Sequence, residues 1–317
     1  MNAPQLRPLG VGEIFDVAIN VYRRHAATLL RVVLFVVVPA NVLAVLIQAS
    51  AQPETVTIDG QRFQTSDEDT WTYLAGAGSA ALVTFLATTI ASGACFKAIA
   101  DAYLGEAPTW RNSLGFAARR FHSILWVTIL FYVVASLGLV LLIVPGVYLW
   151  ASFGVAVPVL LTEGIKGRRA LGRSRRLVKG RWWPVFAVLL LGTILTGIVS
   201  SVLTALVGAI SFVEADAYSL ASIAAQILAG TVSNAITVPF TAAFVIVLYF
   251  DLRVRKEAFD LQLLARQIGV EPPGGMTPAL SVPLGPREPV GGSQPPYWPP
   301  PPGWKPTSPA AEDPRTE

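Results

Sequence analysis

Apolar positions along this chain do not alternate with polar ones; they run together. Stretches of about 20 residues with almost no charge recur from Leu29 to Phe250, and runs of that length match the hydrocarbon thickness of a bilayer. They predict six spans, at residues 29–50, 73–96, 123–144, 146–162, 184–209 and 226–250. The fourth has 17 residues, about 25 Å as a helix against about 30 Å of hydrocarbon, so it either just crosses or re-enters. Pro145-Gly146 is the only interruption between the third and fourth runs. Proline blocks continuation and glycine permits a tight turn, so the pair predicts a helical hairpin broken at that point.

A different period precedes each odd-numbered span. Residues 13–25, 110–122 and 168–181 are amphipathic at 100° per residue and end in basic residues. The first places Ile14, Phe15, Val17, Ala18, Ile19, Val21 and Tyr22 on one arc, opposite Glu13, Asp16, Asn20, Arg23 and Arg24. The third separates Ala170, Leu171, Ser174, Leu177 and Val178 from its basic residues without exception; the middle one is less regular, with Phe116 on the polar side. The predicted fold is therefore an all-α polytopic membrane protein. Its six transmembrane helices form three hairpins, each preceded by an amphipathic cytoplasmic helix in the interface plane.

Charge orients this arrangement. Only 14% of residues are charged and 53% are hydrophobic, where a soluble domain carries about 25% charged residues. The signs are segregated. Twenty Lys and Arg fall in the N-terminal segment, the second and fourth loops and the stretch behind the sixth span, whereas the alternate loops hold Arg62 among Glu54, Asp59, Asp67, Glu68, Asp69, Glu214 and Asp216. Basic loops are retained in the cytoplasm, so both termini are expected there. Ala49-Ser50-Ala51 resembles a signal-peptide cleavage site, but the preceding segment belongs to the repeat and reads as a signal anchor. Asp59-Gly60 between two short alternating runs fits either a small β-hairpin or a plain connector. From Glu271 the character changes: fifteen of the twenty-four prolines lie in residues 271–317. This predicts a disordered cytoplasmic tail behind a membrane domain of residues 1–270. Its polyproline segment, 294–302, is a tether or a ligand for a cytoplasmic partner.

Candidate chemistry is sparse. Small residues recur every fourth position, including Gly76 and Ala80, then Thr193, Gly197 and Ser201, then Ala225, Ala229 and Ser233, and such stripes predict close helix packing. Pro39, Pro158 and Pro239 lie inside spans, with Asn41 and Asn234 near two of them as interhelical hydrogen-bonding groups. No ionisable residue sits near a span centre, which disfavours proton-coupled transport. His25 and His122 stand apart at the interface and Cys95 is the only cysteine, so no metal motif, disulfide or cofactor is expected. Eight of the sixteen residues from Lys166 to Arg181 are basic. Topology and lipid explain them better than nucleic acid does, at up to about 1 kcal/mol per cation near an anionic leaflet. The predicted contacts with anionic lipid are Arg23, Arg24, Arg119, Arg120, Arg168, Arg169, Arg173, Arg175, Arg176, Lys179 and Arg181.

Three stretches carry a family resemblance: Arg7-Pro8-Leu9-Gly10-Val11-Gly12-Glu13-Ile14-Phe15-Asp16; Glu163-Gly164 through Arg173-Ser174 to Gly180-Arg181-Trp182-Trp183; and Tyr249-Phe250-Asp251-Leu252-Arg253-Val254-Arg255 with Phe259-Asp260-Leu261. In these the chain resembles a bacterial family similar to the membrane domain that accompanies some glycerophosphoryl diester phosphodiesterases. The resemblance implies a bacterial membrane protein with a membrane fold over residues 7–261 and is almost silent on activity; the phosphodiesterase reaction is not carried over, because that hydrolysis needs clustered Glu, Asp and His beside a metal and this chain has two histidines at separate interface positions. Read on their own, Trp182 and Trp183 suit an aromatic belt, Pro184 a first helical turn, and Asp251 and Glu257 ion pairs with Arg253, Arg255 and Lys256. The expected role is a non-catalytic membrane protein that engages anionic lipid. A transporter or lipid translocator, and a membrane subunit of a glycerophosphodiester-metabolising enzyme, are the alternatives.

Overall fold

A computed structural model describes residues 8–51, 55–58, 61–64, 67–213 and 220–258. The expected tail, 271–317, and the Asp59-Gly60 turn lie outside the described residues. The elements are α1 (Val11–Ser50), β1 (Thr55–Ile58), β2 (Gln61–Gln64), α2 (Asp67–Tyr103), α3 (Trp110–Leu141), α4 (Ile143–Phe153), α5 (Ala156–Glu163), α6 (Arg168–Val178), α7 (Trp182–Val213) and α8 (Leu220–Glu257). The two strands pair antiparallel, Thr55 opposite Gln64 and Ile58 opposite Gln61.

Six helical stretches are long and apolar enough to span a membrane, the fourth being α4 and α5 together. Its interruptions lie upstream of where the sequence suggested. The α3–α4 break is at Leu142, with φ −160° and ψ 136°, and Pro145 falls in the first turn of α4. The α4–α5 break is at Gly154-Val155, and Pro158 falls in the first turn of α5. In both cases the ring and the missing N–H of proline conflict with the carbonyl four residues earlier, so the chain yields there and not at the proline. Gly146 sits at the resulting contact: a Cβ on it would lie 2.5 Å from the Leu139 backbone.

Of the three expected surface helices, the third is a separate element and the first is set off from its span by a kink. Residues 13–25 are the first part of α1, which bends at His25 (φ −113°, ψ 16°) and continues. Residues 110–122 run unbroken into α3. Neither junction carries a glycine or proline; α3 runs through its junction without a break, and α1 consists of two helical parts that meet at the His25 kink. α6 is bracketed instead by Gly164, Gly167 and Gly180, whose φ values of 70°, 60° and 88° let the chain turn sharply. Its apolar arc, expected to lie in lipid, is buried by the protein: Ala170, Leu171, Ser174, Leu177 and Val178 are all inaccessible and face α3, α4, α5 and α8.

α8 is the axis of the bundle. Within its most apolar stretch 72% of residues are buried, against 17–44% for the other five spans, and α1, α2, α5, α6 and α7 all pack on it. Tyr249, Phe244, Phe250, Ile246, Leu248 and Leu252 are fully enclosed. Small residues permit the approach: a Cβ on Gly192 of α7 would lie 2.3 Å from the Phe244 ring. At the opposite end from Phe250, Asn41 Nδ2 donates to Thr231 Oγ1 across α1 and α8 at 3.3 Å, both groups buried. Asn234 bonds its own helix, donating to Gly230 O at 2.8 Å. The outward faces are apolar, with Phe35, Leu82, Ile198, Val202, Leu206 and Leu228 exposed, as a lipid-facing surface requires.

Candidate functional site

The three stretches singled out in the sequence meet at one end of the bundle. α5 ends in Glu163, Gly164 reverses the chain, and α6 returns Arg173 alongside. Arg173 forks onto this carboxylate, Nε to Oε2 at 2.7 Å and Nη2 to Oε1 at 3.2 Å, and also pairs with Glu257 of α8. Arg253 donates to Glu257 at 3.2 Å and lies 3.9 Å from Glu163. Tyr249 Oη donates to Glu163 Oε1 at 2.9 Å, and Thr162 Oγ1 lies 2.6 Å from the same phenol oxygen. Two acids thus balance two guanidinium groups in a largely buried cluster. Burial works against the Arg173 charge, but the hydrogen bonds and charges of Glu163 and Glu257 outweigh it and raise its pKa.

Beside this cluster the N-terminal stretch is clasped to α8. Leu9 N–H donates to Asp251 Oδ1 at 2.7 Å, Arg255 Nε donates to both Asp251 oxygens at 2.9 and 3.0 Å, and Arg255 Nη2 donates to Leu9 O at 2.7 Å. Lys256 closes the set by donating to the carbonyls of Arg176 and Lys179 at the C-terminus of α6, where the helix dipole favours a cation. Tyr103 from the end of α2 stacks on Phe250 at 5.1 Å. The arrangement holds α1, α2, α5, α6 and α8 together by ionic and aromatic contacts.

The predicted lipid-contact residues divide. Arg23, Arg24, Arg119, Arg168, Arg169, Arg175, Arg176 and Lys179 are exposed. Arg120 is half-buried over the Phe116 ring at 4.5 Å, and Lys97 lies over the same ring at 5.4 Å. Arg173 faces inward to the two glutamates and is not presented to lipid. Arg181 is half-buried at a cavity wall. The packing stripes also divide. Gly76 and Ala80 are buried, and a Cβ on Gly76 would lie 2.2 Å from that of Ala51. On α7 the stripe is displaced by one position: Thr193, Gly197 and Ser201 point outward, while Gly192, Thr196 and Ser200 turn inward. Ser200 Oγ meets Ser233 Oγ of α8 at 3.0 Å, with Ala225 and Ala229 half-buried along the same helix. A stripe of small residues marks a face only to within a residue when its neighbours are small too.

Glu163 and Tyr249 are site residues that the sequence pattern does not single out. A signal for Glu163 exists: it is the only acid between Glu106 and Glu214, an isolated negative charge within the most basic region. Tyr249 has none, since an aromatic residue at a span end also fits the interfacial belt. No group of three or more His, Cys, Asp or Glu suited to a metal occurs among the described residues.

By its six apolar helices this is a multi-pass membrane protein of α-helical type. Residues 108–252 match a domain of unknown function, DUF7847, a segment that runs from the approach to α3 through Glu163, Arg173 and Arg181 to Asp251. No curated protein and no solved structure matches the chain.

Proposed function

We propose that this is a non-catalytic protein of the bacterial plasma membrane whose basic end is cytoplasmic and engages anionic phospholipid. The observation that carries this reading is the division of α6 into two faces. Its apolar side is locked under its own chain by burial and by the Arg173, Glu163 and Glu257 pairs, and Arg168, Arg169, Arg175, Arg176 and Lys179 stand exposed on the other side. A docked helix of fixed orientation presents those charges without the entropy cost of ordering a free segment. In this reading the spans form three hairpins with both termini on the cytoplasmic side. The tail, 271–317, serves a cytoplasmic partner.

The test uses full-length protein extracted from membranes containing phosphatidylglycerol and a zwitterionic lipid, with co-purifying lipid quantified by mass spectrometry. The wild type is expected to be enriched in phosphatidylglycerol, and replacing Arg168, Arg169, Arg175, Arg176 and Lys179 together by Gln to lower the enrichment several-fold, at up to about 1 kcal/mol per cation. Unchanged enrichment overturns the reading.

The convergence of the three resembling stretches supports a second reading. Here the chain is the membrane subunit of a glycerophosphodiester-metabolising enzyme, with a separate polypeptide supplying the hydrolytic chemistry. Co-purification of such an activity from native membranes, abolished when the chain is deleted, is its test.

A further inference from the structure

Between the N-terminal clasp and the start of α7 lies a cavity of about 150 Å³, bounded by Leu9, Val11 and Ile14 of the N-terminal segment, Arg181 and Val185 at the start of α7, and Asp251 and Arg255 of α8. Ligand pockets for whole small molecules run from about 300 Å³ upward, so the volume suits a single compact group. Its charge is positive. Asp251 is already satisfied by the Leu9 N–H and Arg255, whereas the Arg181 guanidinium has no partner among the described residues. Arg255 commits Nε and Nη2 to Asp251 and Leu9 O, which leaves Nη1 uncommitted among the same residues. The third contribution is the first turn of α1, to which Val11 belongs: Glu13 Oε2 takes the Gly10 N–H there at 2.7 Å, and the amides that follow lack intrahelical acceptors and favour an anion. The remaining walls, including Ile14, Val185 and Leu248, are buried and apolar.

We propose that this cavity is a binding site for a phosphate group, with Arg181 as its principal charge partner, Arg255 Nη1 as a second donor and the apolar walls excluding water around it. Guanidinium groups match phosphate oxygens in geometry and charge. The site rests on the reading that this end of the bundle meets anionic lipid, and makes it specific: one phosphate held by a built cavity, distinct from the exposed face of α6.

The experiment measures ligand retention by native mass spectrometry on the delipidated full-length protein, titrated in parallel with phosphatidylglycerol, with phosphatidylcholine and with inorganic phosphate. Three variants accompany the wild type: Arg181→Gln, Arg181→Lys and the five-residue Gln replacement on α6. Arg181→Gln is expected to weaken phosphate-group binding about tenfold, the scale of a lost charge-assisted hydrogen bond, and Arg181→Lys to restore much of it. Loss in the phosphatidylglycerol arm identifies a lipid head group, and loss in the inorganic arm a free phosphate; either supports the site. Binding by Arg181→Gln equal to wild type in every arm overturns it, whatever the α6 variant does. Failure of the α6 variant to alter lipid enrichment overturns the surface reading and leaves the cavity standing. A melting midpoint for Arg181→Gln close to that of wild type shows that the fold is kept.

Discussion

Glu163 is the junction of the ionic cluster. Its two oxygens receive Arg173 Nε and Nη2 and the Tyr249 hydroxyl, with Arg253 at 3.9 Å. Removing one member of a largely buried ion pair leaves the other uncompensated, at about 3–5 kcal/mol, whereas removing both together costs much less. Glu163→Gln is therefore expected to lower the detergent-solubilised melting midpoint sharply. Adding Arg173→Met to it is expected to recover part of the loss, because the cluster then again holds one guanidinium, Arg253, for one acid, Glu257. Tyr249→Phe deletes a hydroxyl that bridges Thr162 and Glu163 and is expected to destabilise by about 1.5–3 kcal/mol, the range for a hydrogen bond to a charged group. A Tyr249→Phe variant as stable as wild type would remove the phenol from the network.

At the scale of the element, two glycines on α7 separate packing from mere smallness. Gly192 faces the Phe244 ring and Gly197 has open space where a Cβ would stand. Gly192→Leu is expected to destabilise by about 1–3 kcal/mol through overpacking, and Gly197→Leu to leave the melting midpoint unchanged; equal effects would contradict the rotation assigned to α7. This pair also shows what the sequence holds. Span number and approximate extent were legible because a charge-free run of 20 residues has few alternatives. The phase of α7 was not, because Gly192, Thr196 and Ser200 form a four-residue repeat as good as Thr193, Gly197 and Ser201. Only Phe244 on the facing helix decides between them. The same limit applies to α6: its two faces could be read from periodicity, but whether lipid or protein covers the apolar one depends on residues near Ser152, whose carbonyl accepts from Ser174 Oγ at 2.8 Å. The candidate site was half legible. Its arginines stand out as a basic run, while the contacts from Tyr249 to Glu163 and from Arg255 to the Leu9 carbonyl join residues 86 and 246 positions apart.

At the scale of the whole molecule, charge distinguishes the ends of the helices. Basic residues gather at the end marked by Glu163, Arg173 and Arg255, and the loop carrying β1 and β2 has the acids Glu54, Asp59, Asp67, Glu68 and Asp69. The α3–α4 tip has neither sign: Leu137 to Val144 contains no polar side chain, and Val140 and Val144 are 84% and 81% exposed. From Ser123 to Leu141 the rise is about 28 Å, just short of the hydrocarbon thickness. A tip of that composition is stable in lipid and costly in water, so this hairpin is expected to end within the far leaflet. Single cysteines at Thr57, Leu142 and Arg175, in a Cys95→Ala background, test this with a membrane-impermeant maleimide. Thr57→Cys is expected to react only in right-side-out vesicles, Arg175→Cys only in inverted ones, and Leu142→Cys in neither until detergent is added. Labelling of Leu142→Cys at the Thr57→Cys rate would mean that the hairpin crosses completely, and labelling of Arg175→Cys from outside would invert the orientation on which the lipid reading depends.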